Sequence, residues 1–176
     1  MISQGSLVEF IDGGKFICAY VTATAGSQLR LLGQNGRDTN LSPARLLTSS
    51  QTVHSLSATR DALIAQLKDA AGIRQQLAAA LDLRELWEIV REEPVLEFSV
   101  NFLTELLFGK AVSDDQTAAF LRAVLADHLY FKFKNGRITA HSAEQVEHLR
   151  QQAAREAEKE LLLARGAKAL QKIMQG

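Results

Sequence analysis

The residues best equipped for chemistry fall together between Asp127 and Thr139, in the stretch DHLYFKFKNGRIT. Period-2 alternation places Tyr130, Lys132 and Lys134 on one face of a strand and Leu129, Phe131 and Phe133 on the other. Asn135-Gly136 then predicts a tight hairpin turn, with Arg137 just beyond it. Three cations beside an aromatic ring could meet the phosphates and a base of a nucleic acid. The same pattern also describes an amphipathic hairpin whose lysines guard a sheet edge against aggregation. On the apolar face, Phe131 and Phe133 are expected in the core. Lys15 and Arg37, at two other turns, are further candidate cations for RNA contact.

Other chemistries lack the residues they need. The sequence has no Gly-rich phosphate loop, nucleophile elbow or paired-His metal motif. The histidines at 54, 128, 141 and 148 have no thiol partners at metal-site spacing, so no metal ligand is assigned. Cys18, the single cysteine, excludes an internal disulfide and suits a reducing cytoplasm, and it reads as a small apolar strand residue without a neighbouring charge to activate it. Asp114-Asp115 reads as helix capping, because adjacent helical side chains point apart. Glu92-Glu93 reads as a solvated helix end. No catalytic residue is assigned.

Twenty basic and twenty acidic side chains balance, which argues against a strongly basic nucleic-acid binder. The span from Leu81 to Val112 is acidic, with seven carboxylates against Arg84, Arg91 and Lys110. Contact with RNA would therefore have to be local. No apolar run reaches the roughly 20 residues of a membrane span, and the first residues do not read as a secretory signal. The expected location is cytoplasmic.

These residues need elements to position them, and the pattern predicts an α+β fold. Residues 1–50 carry short β-rich runs and turns at Asp12-Gly13-Gly14-Lys15 and Asn35-Gly36, which predicts an SH3-like small β-barrel. Residues 51–81 become helical from Thr59, with Leu63, Leu67, Ala70 and Ala71 on one face, as one or two connecting helices. Residues 82–141 hold three N-terminal signals: Asp82 with Glu85, Ser99, and Ser113 with Gln116. Three short helices followed by a hairpin predict a winged helix-turn-helix. Its third helix exposes Asp114, Asp115, Gln116, Thr117 and Asp127, with Arg122 the only cation, and would repel a DNA major groove. Trp87 is expected in the core. Ser142 with Gln145 starts a long helix over 142–176 that needs a partner to cover it, and the chain then stops as a chain cut at a linker would.

The segments GSLVEFIDGGKFICAYV, LRLLGQNGRDTNLSPARLL, LRELWEIVREEP, FLTELLFG, DDQTAAFLRAVLADHLYFKFKNGRITAHS and EQVEHLRQQ follow in an order that covers nearly the whole chain. That order resembles the N-terminal region of RNB-domain exoribonucleases, the ribonuclease II and ribonuclease R group. The resemblance implies a processive 3′-to-5′ exoribonuclease using magnesium held by aspartates. The aspartate-rich motif is absent here, so no catalytic residue carries over and this chain alone should not cleave RNA. It implies an accessory region with two partners, single-stranded RNA bound weakly and the catalytic part of its own polypeptide. A homodimer through the C-terminal helix is a further expected association. A protein-interaction module without nucleic acid is the alternative, and a winged-helix DNA-binding regulator the third reading.

Overall fold

The computed structural model describes residues 2–175, so Met1 and Gly176, the outer ends of the first and last expected segments, lie outside the described residues. Among these, five α-helices and two antiparallel sheets make a mixed α+β architecture. The first sheet contains β1 (Ser6–Asp12), β2 (Lys15–Ala25), β3 (Gln28–Gly33), β4 (Asp38–Leu41) and β5 (Thr48–Val53) in the order β4-β3-β2-β1-β5. Gly13-Gly14 closes the β1–β2 hairpin, with Asp12 opposite Lys15. A 3-10 turn at Pro43–Arg45 separates β4 from β5. Closure into a barrel does not occur by backbone pairing. The sheet is open, with the four-residue β4 at one edge and β5 at the other. β5 also carries the sheet past residue 50, into the span expected to be a helical connector.

β5 reaches β1 only because the chain is small at Gly5. This glycine has φ +91°, and a Cβ there would lie 2.4 Å from the His54 carbonyl oxygen. Any side chain would push the end of β5 at Val53 and His54 away, besides being strained at that φ.

The sheet is buried on both faces, which is why its strands do not alternate cleanly. Val8, Phe10, Ile17, Ala19, Val21, Leu29, Leu31 and Leu41 fill one face. Leu7, Cys18, Tyr20 and Leu32 meet Leu63 and Leu67 on the other. Those leucines belong to α1 (Arg60–Ala79), capped by the Thr59 hydroxyl, which accepts from the Ala62 amide at 3.2 Å. Gly72 does not divide it, so a single helix of 20 residues lies against the sheet.

The second half comprises α2 (Leu83–Val90), β6 (Glu97–Ser99), α3 (Val100–Phe108), α4 (Asp114–Ala126), β7 (Phe131–Lys134), β8 (Arg137–Ala140) and α5 (Ala143–Gln175). Asp82, Ser99 and Ser113 cap the first three of these helices as their sequence signals predict. Ser142 and Gln145 exchange the two capping hydrogen bonds at the start of α5. β6, not expected from sequence, pairs with β8 to give the sheet order β6-β8-β7. Leu86, Trp87, Val90, Phe98, Leu103, Phe120, Phe131 and Ile138 form this core, with Val146 of α5. The Trp87 indole donates to the His141 carbonyl at 2.7 Å.

An ion cluster joins the halves. Glu9 of β1, Arg74 of α1 and Arg122 of α4 are 1%, 2% and 5% exposed. Arg74 donates to Glu9 at 3.0 Å and to Asp115 at 2.9 Å, while Arg122 donates through Nε to the other Glu9 oxygen. Arg122 also reaches the Ala71 carbonyl and Gln75, each at 3.4 Å, and the Cys18 sulfur at 3.5 Å. Arg122 is therefore not a cation on an exposed recognition face. α4 is apolar on too many sides to be a surface helix, and Ala118, Ala119, Phe120, Leu121 and Val124 are buried around it. Burial pushes the Glu9 carboxyl above its usual range, against the pull of both guanidiniums. Among the described residues, no buried side-chain nitrogen or oxygen lacks a hydrogen-bond partner.

Cys18 is fully buried and, contrary to the sequence expectation, has charged neighbours. Burial, and then the Glu9 charge, push its thiol up to about 11 against the influence of both arginines. A thiol raised in the folded state contributes stability below its unfolded value and loses it as pH rises through the folded one. Stability should therefore fall between about pH 9 and 11, by roughly 3 kcal/mol in total. Urea unfolding across that range should show the decline, and Cys18→Ala should remove that component of the slope.

Candidate nucleic-acid interface

The hairpin forms where the sequence puts it. Asn135 (φ 52°) and Gly136 (φ 74°) make a two-residue turn, and Lys134 faces Arg137 across it. A two-residue turn with both central residues left-handed matches the right-handed twist of the flanking strands, and Asn-Gly supplies both at little strain. The register then sorts the side chains. Phe131, Phe133, Ile138, Ala140 and Phe98 belong to the row that meets the helices, while Lys132, Lys134, Arg137, Thr139 and Glu97 occupy the other. Phe131 is buried as expected, but Phe133 is only half-buried because β7 is an edge strand.

The five candidate cations separate into three groups. Lys132 and Lys134 are exposed, and neither forms an ion pair or hydrogen bond among the described residues. Arg137 is exposed too, yet its Nε donates to Glu97 at 3.2 Å, with both side chains about half exposed. The pair is weak in water, so Arg137 is held but remains exchangeable. Lys15 opens β2 just after the β1–β2 connection, and Arg37 lies on the β3–β4 connection. Those connections share one end of the first sheet, because β1 and β3 run in the same direction. Both residues lie at that end of the first sheet, whereas the hairpin belongs to the second.

Tyr130 is not the open stacking surface that its sequence position suggests. Its ring lies 5.4 Å from Trp87, tilted by 42°, and the Arg150 guanidinium sits 5.9 Å from its centroid. Its hydroxyl accepts from Arg150 at 2.9 Å. That hydrogen bond raises the exposed Arg150 above its ordinary value. Arg150 gave no sequence signal, because twenty residues separate the partners.

The paired carboxylates Asp114 and Asp115 do not suit a cation. The Asp114 carboxylate accepts from the Gln51 amide at 3.1 Å, and Asp115 is bound to Arg74. Among the described residues, no group of three or more His, Cys, Asp or Glu side chains converges as a metal site. Within the hairpin face the arrangement can bind anions, chiefly phosphates, through two free lysines and one exchangeable arginine. Glu97 in the same row limits that attraction.

In comparisons with protein-family models, with curated proteins and with solved structures, the chain matches none of the three.

Proposed function

We propose that this chain is a non-catalytic, RNA-contacting accessory region of an RNB-domain 3′-to-5′ exoribonuclease. In this reading residues 82–141 are a winged helix-turn-helix and the first sheet is SH3-like. RNA hydrolysis and its magnesium then belong to a catalytic part outside this sequence. The observation that carries the reading is the element order α2, β6, α3, α4, β7, β8, with β6 paired to β8. Helix, strand, two helices and a hairpin are what a winged helix needs. The meander with β1 between β2 and β5, and a 3-10 turn before β5, supports an SH3-like sheet despite its open edges.

The burial of Arg122 and the engagement of Asp115 take α4 out of groove recognition and leave the hairpin face as the contact surface. Lys132 and Lys134 neutralise two phosphates, which corresponds to a salt slope of about −1.4 on a single strand. Affinity of that kind suits guiding an RNA rather than capturing it. A titration of fluorescent single-stranded RNA at low salt tests this. Binding should be measurable, with that slope, and Lys132→Glu/Lys134→Glu should abolish it. Equal binding by the double variant would remove the hairpin from the function.

A second reading, a protein-interaction or self-association module, has its own observation. α5 is exposed from Arg150 to Met174, and Leu161, Leu162, Leu163, Leu170, Ile173 and Met174 are all at least half exposed. Leu162, Leu163, Leu170, Ile173 and Met174 share a face at helical spacing, with Arg165, Lys168 and Lys172 opposite. Light scattering separates the readings. A dimer converted to monomer by Leu163→Glu/Leu170→Glu supports self-association, whereas a monomeric parent chain argues against it.

A further inference from the structure

Beside the hairpin, the ends of α4 and β7 and the first turns of α5 line an open pocket of about 510 Å³. That size falls within the range of small-ligand sites. Its apolar surface comes from Val124, Leu125, Phe131, Phe133 and Leu149. Around these stand Lys132 and three histidines, His128, His141 and His148, with Gln145. Sequence spacing hides this grouping, because the histidines come from a loop, a strand end and a helix.

The polar groups divide by whether the fold already uses them. Asp127 is the pocket's one carboxylate, and it is committed to the backbone. Its oxygens accept from the amides of Leu129 at 3.3 Å, Tyr130 at 2.8 Å and Phe131 at 3.3 Å. Its charge is thus absorbed where the chain turns into β7, and it is poorly placed to repel an anion. His141 Nδ1 lies 2.9 Å from the Leu129 carbonyl, which leaves the other ring nitrogen free. Lys132, His128 and His148 have no hydrogen-bond or ion-pair partner among the described residues. The pocket therefore offers aromatic and aliphatic surface, several free donors and one cation, with its acid already satisfied.

We propose that this pocket is a nucleotide subsite, taking one splayed base of a single-stranded RNA with its phosphate at Lys132. The inference rests on the RNA reading and adds a place where a base is held. A flat base suits the half-buried Phe133 and the imidazole rings, and free donors suit its carbonyl edges and the phosphate. A paired base in a duplex could not enter a recess, so the site selects single strands. The phosphates on either side of the held nucleotide would run along the Lys132–Lys134 face, which joins the pocket to the hairpin surface.

The test uses the full chain and an oligouridylate of about ten nucleotides, a length that one small binding domain covers, with a second version carrying one 4-thiouridine for photocrosslinking. His128→Ala/His148→Ala changes exposed side chains only, and Leu149→Trp fills the recess. Both should weaken oligouridylate binding roughly 5- to 150-fold, as the loss of one stacked base does. Crosslinks should map to the segments carrying His128, Phe133 and His148. Oligouridylate that binds both variants like the parent, with crosslinks elsewhere, would overturn the subsite and leave the RNA reading standing. Absence of oligouridylate binding by the parent chain would overturn both. Uridine monophosphate binding as tightly as the oligonucleotide would overturn the RNA subsite in favour of a free-nucleotide site.

Discussion

Everything in this molecule turns on a carboxylate that has no business in a sheet interior. Glu9 lies in the middle of β1, nearly inaccessible, and is tolerable there only because two guanidiniums reach it from different helices. Withdrawing a single ion from water costs several kcal/mol, so each member of the cluster requires the others. Two carboxylates and two guanidiniums balance one another, drawn from β1, α1 and α4. An apolar contact would tolerate sliding, whereas fixed hydrogen-bond directions allow one arrangement. The sheet, α1 and the helical half are thereby held as a unit, and the hairpin and its pocket stand at a defined place on it.

What could be read from the sequence was whatever a few neighbouring residues decide. N-caps, the Asn135-Gly136 turn and the aromatic-in, lysine-out register of β7 follow from contacts within four residues, and all of them form. What could not be read depends on partners 41 to 113 residues apart, as in the pairs Arg74–Asp115 and Arg122–Glu9. One signal was present. Arg74 continues the apolar stripe of Leu63, Leu67, Ala70 and Ala71, and a charge on such a stripe implies a buried partner. Arg122, set among the apolar residues of α4, carried the same hint. β6 is three residues long, too short for periodicity to reveal. Closure of the first sheet was expected from the number of short strands and the cost of unpaired edges, and neither determines whether the edges meet.

The candidate interface changed in the same way. Its candidate residues are local in sequence, but which of them remain free was decided at a distance, by Glu97 for Arg137 and by Arg150 for Tyr130. The folding core keeps Arg122 and Asp115, and the hairpin keeps Lys132 and Lys134. The proposed weak, single-strand-directed contact suits a neutral chain whose acidic residues concentrate between Leu81 and Val112.

The most direct test of this account is urea unfolding of Glu9→Gln followed by Trp87 fluorescence. Trp87 is the single tryptophan, buried in the helical core and remote from β1 in sequence. If the ion cluster unites the two halves, the substitution leaves Arg122 without a carboxylate and Arg74 with Asp115 alone, and the Trp87 transition should lose about 3–5 kcal/mol of stability. A Trp87 transition unchanged by the substitution would contradict the claim, because the helical half would then be folding without reference to the sheet.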